Sequence, residues 1–189
     1  MTEPVPTRVG NIGDREIRVF DGLLTKQDLH TLVDALDTQL FTRTEVARPD
    51  AAQIRHWVYN VEVDSMKDSP LYKLTVDATK LFYGGRDTYN AYRAYCNYSS
   101  YGDMLFTHTD AQPGEQELTA LWYLAKDWHL EWGGETLFFN EDNDAEFVAS
   151  PKPGRLVIFD GSITHAGRPP NRICFVPRYT FAFKLERMK

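Results

Sequence analysis

The chain has 189 residues, 42% hydrophobic and 25% charged, which is the size and balance of one globular domain. Its 21 Lys and Arg against 27 Asp and Glu leave a net charge of -6, which argues against nucleic acid or an anionic membrane as partner and favours a basic or small-molecule one. Cys96 and Cys174, the two cysteines, are too few for a disulfide scaffold and form no CxxC pair. Both read as buried thiols of a reducing cytoplasm. Met1 to Asn11 holds Glu3, two prolines and no apolar run, and no stretch nears the roughly 18 apolar residues of a membrane span, so no leader and a cytoplasmic location are expected.

Glu16 to Phe20 alternates as a short strand turned by Asp21 and Gly22. Thr25 stands at an N-cap with Asp28 three positions on, and Leu29, Leu32, Val33, Leu36 and Leu40 recur at helical spacing, predicting a helix over Lys26 to Gln39. Phe41 to Gln53 is polar and irregular and reads as a mobile loop, followed by an alternating strand over Ile54 to Val63. Ser69 and Pro70 start a second helix, carried by Leu71, Leu74, Ala78, Leu81 and Phe82 and stopped by Gly84 and Gly85. Beyond Arg86 the segments are short and aromatic or β-branched. Strands are predicted near Asn90–Tyr98, Met104–His108, Glu117–Leu124, Glu135–Phe139, Glu146–Ala149, Arg155–Phe159, Thr164–Gly167 and Arg178–Leu185. The expected fold is mainly β with flanking helices, a double-sheet jelly roll in one domain over 1–189, with strands and supporting helices in 1–89 and the jelly-roll core in 90–189.

Of five histidines, His108 has Asp110 two residues on, and strand alternation sends both to one face. With His165 from a later strand they make two imidazoles and a carboxylate, the facial triad of non-haem iron(II), which leaves three positions open. Taken alone, a His-x-Asp pair is a weak signal. Arg178 and Thr180 share a face of the last strand with no acid before Glu186. A guanidinium facing inward there needs an anion, either a distant carboxylate or an anionic cosubstrate, with Arg172 and Lys184 as substitutes. His30 and His129 read as surface residues. The run Glu141, Asp142, Asp144 and Glu146 reads as a solvated turn without calcium-loop spacing.

Tyr98 ten residues before His108, the sequence His108-Thr109-Asp110, LTALWYLAKDW over Leu118–Trp128, Gly133-Gly134-Glu135, Gly154–Phe159, His165, and RYTFAF over Arg178–Phe183 together resemble the 2-oxoglutarate and iron(II)-dependent dioxygenases, in the branch of the prolyl 4-hydroxylases. The resemblance covers the chain from Asn90 onward. It implies a double-stranded β-helix, His108, Asp110 and His165 as catalytic iron ligands, and Arg178 as partner of the distal carboxylate of 2-oxoglutarate. It also implies Tyr98, Tyr123, Thr180 and Thr136 as further cosubstrate contacts. Gly167 departs from the family's usual hydrophobic residue two after the distal histidine.

The resemblance further implies Fe(II), 2-oxoglutarate and O2 as the working set, with 2-oxoglutarate converted to succinate and CO2 and an unactivated C–H bond hydroxylated. Retention of Asp110 favours hydroxylation over halogenation. The substrate is a prolyl or other protein residue, or a free amino acid or small metabolite. The Phe41–Gln53 segment resembles in position the family's substrate-covering loop. His56, Arg55, Trp57, Tyr59 and Arg93 are placed to overhang the mouth, with a structural role open for each. A cupin-like metal-dependent isomerase or metal-binding protein is the alternative, distinguished by the need for Arg178.

Overall fold

A computed structural model describes residues 4–85 and 87–188; Met1 to Glu3, part of the no-leader reading, and Arg86 lie outside the described residues. In chain order the elements are β1 (Arg8–Ile12), β2 (Arg15–Phe20), α1 (Lys26–Leu36), β3 (Thr42–Glu45), β4 (His56–Val61), α2 (Val63–Met66), α3 (Pro70–Thr79), β5 (Tyr89–Ser99), β6 (Leu118–Leu124), β7 (Thr136–Phe139), β8 (Ala145–Ala149), β9 (Arg155–Asp160), β10 (His165–Gly167) and β11 (Arg178–Arg187). The strands form an eight-stranded sheet, ordered β1-β2-β9-β6-β11-β5-β4-β3, and a three-stranded sheet, β10-β7-β8. All named pairings are antiparallel.

Helices α1 and α3 start as their capping residues dictate. Thr25 accepts from the Asp28 amide at 3.1 Å, and Ser69 accepts from the Tyr72 amide at 3.2 Å. The first helix stops at Leu36 instead of Gln39, because Gln39 turns back and its side-chain amide donates to the Ala35 carbonyl at 2.9 Å. Leu40, read as part of the apolar stripe, is consequently 82% exposed. Leu29, Val33 and Leu36 of α1 and Leu71 and Ala78 of α3 pack on one face of the large sheet, against Trp122, Phe181, Phe183 and Leu185. Trp122 donates its indole N–H to Thr75 of α3 at 2.9 Å, so the docked helix also satisfies a buried polar group.

The opposite face of the large sheet is only half covered. The small sheet sits over its β1-β2-β9-β6 end, where Ile12, Ile17, Val19, Phe138, Phe147, Val157 and Phe159 form a second core. Gly10 permits this contact, since a Cβ there would lie 2.4 Å from the Phe147 ring. No alternating pattern marks β1, which forms by pairing with β2 across the turn at Gly13, where φ is 62°. The expected loop over Phe41–Gln53 contains β3, an edge strand paired to β4, and a 3-10 turn over Pro49–Ala51. Of the expected strand over Met104–His108 only His108 pairs, with His165. The segment before it is bent by a turn in which Asp103 accepts from the Ser100 amide at 2.8 Å. Cys96 and Cys174 are free and buried. No described helix is long and apolar enough to cross a membrane.

Candidate metal and cosubstrate site

Alternation along the central strands divides their side chains between two environments. On β11, Tyr179, Phe181, Phe183 and Leu185 join the helix-side core, while Arg178, Thr180, Ala182 and Lys184 line a cavity of about 270 Å³ on the other face. On β5, Arg93, Tyr95 and Asn97 line the same cavity, and on β6, Thr119 and Leu121 do. The cavity lies on the large sheet's face away from the helices, and the small sheet closes one side of it with Thr136 of β7 and His165 and Gly167 of β10.

His108, Asp110 and His165 meet at the cavity, with one donor atom from each lying within 4.8 Å of the others. His108 and His165 form a two-way backbone pair, each amide donating to the other's carbonyl at 3.0 and 2.9 Å. The Asp110 and Ala111 amides both donate to the Gly161 carbonyl, at 2.7 and 3.0 Å. A side chain at Gly161 would be crowded there, because an added Cβ would lie 3.0 Å from that of Ala111. Each imidazole has Nδ1 beside a carbonyl two residues back, Phe106 or Ile163, at 2.9 Å. That contact places the proton on Nδ1 and leaves the Nε2 lone pair free, 3.4 Å (His108) and 3.5 Å (His165) from the Asp110 carboxylate. Burial holds the His165 pKa down to about 4, so the ring is neutral at pH 7 and able to ligate. Two imidazoles and one carboxylate suit Fe(II) with open positions.

Asp110 has further partners that the sequence did not assign. Its Oδ2 accepts from Thr119 at 2.7 Å and contacts the Lys184 ammonium; the Asp110 and Lys184 side chains are 7% and 9% exposed. Burial alone would raise the Asp110 pKa, but Lys184 and the histidines hold it well below the ordinary carboxylate value. Lys184, named as a substitute for Arg178, therefore serves Asp110. Arg172, the other substitute, is exposed and outside the cavity.

Arg178 is 3% exposed. Its guanidinium donates to the Gly134 carbonyl at 2.6 Å, Thr136 at 3.0 Å and Thr180 at 3.5 Å, and lies over the Tyr123 ring at 5.3 Å. All these partners are uncharged. Gly134, at φ 83°, brings its carbonyl in, and a Cβ there would lie 3.0 Å from Trp128 and 3.2 Å from Arg178. At Gly167 an added Cβ would stand 3.4 Å from Arg178 Nη2, an ordinary van der Waals contact.

Thr136 and Thr180 line the cavity with Arg178, and Tyr123 stands behind Thr136, donating to it at 2.7 Å. Tyr98 does not line the cavity. One position off the inward register of Tyr95 and Asn97, it packs among Phe41, Tyr179 and the helix-side core. Of the residues expected at the mouth, His56 and Arg93 line the cavity, Tyr59 packs against Phe41, and Trp57 lies near Arg43. Arg55 is outside the lining. Among the residues the sequence left unassigned, Tyr95 and Asn97 line it on a face of β5 that alternation from Arg93 would have marked, and Thr119 lines it from β6.

Residues 95–184 match the model of the 2OG-Fe(II) oxygenase superfamily. No curated protein matches the sequence. Among solved structures, the chain is similar to a viral collagen prolyl hydroxylase from Paramecium Bursaria Chlorella virus-1 in complex with 2OG (16% identity, 95% of this chain and 100% of that one, TM-score 0.67). It is also similar to a Pseudomonas putida prolyl-4-hydroxylase (14%, 94% and 96%, 0.66) and to HygX from Streptomyces hygroscopicus with nickel and 2-oxoglutarate bound (12%, 90% and 82%, 0.61). At these identities the likeness is one of fold, the jelly roll expected from the sequence. The family match places residues 95–184 in the 2-oxoglutarate and Fe(II)-dependent oxygenase superfamily, as the part of a dioxygenase that works with Fe(II), 2-oxoglutarate and O2.

Proposed function

We propose that this dioxygenase hydroxylates an unactivated C–H bond, with His108, Asp110 and His165 holding Fe(II) and Arg178 holding the distal carboxylate of 2-oxoglutarate. One oxygen atom of O2 goes into the succinate formed as 2-oxoglutarate loses CO2, and the other into the substrate's new hydroxyl. The observation that carries this reading is Arg178, a buried cation with only neutral partners in the same cavity as the two histidines and the aspartate. Such a group calls for an anion, and a carboxylate fits its fork.

Fe(II) supplies the activation of O2 when bound. The chain's own residues orient and enclose. The backbone pair of His108 and His165 fixes both rings, Thr119 and Lys184 hold one oxygen of Asp110, and Tyr123 holds Thr136 against Arg178. The substrate class is a residue of a protein, prolyl or other, or a free amino acid or small metabolite. Val46 and Ala47 line the cavity and Arg48 donates to the Thr107 carbonyl at 3.1 Å, which supports reading the segment after β3 as a cover over bound substrate.

The test is an anaerobic titration of metal-free protein with Fe(II) and then 2-oxoglutarate, followed by air and a succinate assay. A visible metal-to-ligand charge-transfer band with slow succinate release is expected. Folded, iron-loaded protein that binds no 2-oxoglutarate would overturn the reading in favour of a cupin-like metal protein.

A further inference from the structure

Beyond β11 the large sheet continues as β5, β4 and β3, and these strands form the cavity wall that the small sheet does not cover. His56 of β4 is 5% exposed, lines the cavity, and has no hydrogen-bond partner for Nδ1. Asn97 of β5 lines it too, paired in register between Val58 and Thr180, and its Oδ1 is likewise buried without a partner. A buried polar atom left unpaired costs about 1–3 kcal/mol. Two of them on one wall of a ligand cavity point to a ligand that completes them. His56 is not part of the cluster of His108, Asp110 and His165.

The charges around the cavity narrow the chemistry. Among the described lining residues, Glu45 pairs with Arg93 at 2.7 Å and Asp110 with Lys184, so Arg178 is the one charged side chain without a counter-charge. The proposed function gives Arg178 to 2-oxoglutarate. What remains for a second molecule is a neutral pair of hydrogen-bonding groups, since burial keeps the His56 pKa below its ordinary value and the ring uncharged at pH 7.

We propose that His56 and Asn97 form a substrate-recognition subsite for an uncharged hydrogen-bonding group, a carboxamide, a peptide amide or a hydroxyl. The inference rests on the oxygenase reading of the site. A neutral imidazole offers one donor and one acceptor, and the Asn97 carbonyl oxygen accepts, so an amide or hydroxyl can satisfy both side chains. A carboxylate donates nothing to Asn97 and is disfavoured.

The test uses the anaerobic Fe(II) and 2-oxoglutarate holoenzyme, with perturbation of its charge-transfer band as the binding signal. The probes are N-acetyl amino acid amides, the matching N-acetyl amino acids with a free carboxylate, and simple polyols. An amide or polyol should bind, at least about tenfold more tightly than the carboxylate series. Which neutral series binds separates a peptide-like from a hydroxylated substrate. His56→Phe and Asn97→Leu should each weaken that probe about tenfold or more while the band persists, and His56→Gln should recover part of the loss. Carboxylates binding equally well, unchanged affinity in the variants, or no probe binding to holoenzyme with a normal band would each overturn the subsite alone. Absence of the band in the unaltered protein would overturn the oxygenase reading as well.

Discussion

Replacing Arg178 with Met should weaken 2-oxoglutarate binding by about two to three orders of magnitude with little change in fold stability. A guanidinium gripping a carboxylate makes two charge-assisted hydrogen bonds, each about 1.5–3 kcal/mol. Because the two share one charge, the lower end applies, and their joint loss is about 3–4 kcal/mol, at about 1.4 kcal/mol per tenfold in affinity. Stability should behave differently. Arg178 is 3% exposed and has no carboxylate partner, so the unliganded protein buries its charge against the Gly134 carbonyl and two hydroxyls. Met fills much of the same volume without that desolvation, which offsets the lost bond to Gly134 and keeps the net change within about 2 kcal/mol. Titration of the iron-loaded variant with 2-oxoglutarate and denaturant unfolding of the metal-free variant measure the two quantities. An affinity change below about fivefold would refute the assignment and leave Lys184 as the cavity cation to examine. Global unfolding would mean that Arg178 is structural.

Asp110→Ala should abolish iron binding and also destabilise the metal-free protein by about 3 kcal/mol, because it strands the buried Lys184 ammonium; Asp110→Ala combined with Lys184→Met should recover most of the stability and none of the metal binding, as read by unfolding and iron titration. His108→Ala should remove iron binding at smaller cost, since its ring is 23% exposed and pairs with no buried cation. Thr75→Val should cost about 1–3 kcal/mol in denaturant unfolding by leaving the Trp122 indole N–H unpaired beneath α3; no change would mean that the bond contributes nothing to docking that helix. Asp21 is bound through two oxygens by Arg155, at 2.7 and 2.9 Å, and that bond lowers its pKa. A depressed carboxylate pKa gives stability that is present above the unfolded value near about 3.9 and lost as pH falls through the folded one. Asp21→Asn should therefore flatten the acid limb of the stability profile and leave its shape unchanged near neutrality.

Patterns local in sequence were legible without the fold. The Thr25 and Ser69 caps, the helices they start and most of the β5 to β11 strand set followed from spacing and turn chemistry, because each is written within a few residues; the proposed group of His108, Asp110, His165 and Arg178 came from the His-x-Asp spacing and the family resemblance. Tyr98 shows the limit of that reading. Its distance from His108 matched the family, but strand alternation, fixed by the pairing of β5 with β4 and β11, turns Asn97 inward and Tyr98 outward. β1 and β3 were invisible for a related reason: Arg8–Ile12 and Thr42–Glu45 carry no alternating apolar code and become strands by pairing with β2 and β4. Only tertiary structure could bring Lys184 to Asp110, 74 residues apart in sequence, or leave His56 and Asn97 unpaired on a shared wall. Composition and spacing determined which chemistry the chain carries, whereas strand order and register decided which side chains face it, because a one-residue change of register exchanges the two faces of a strand.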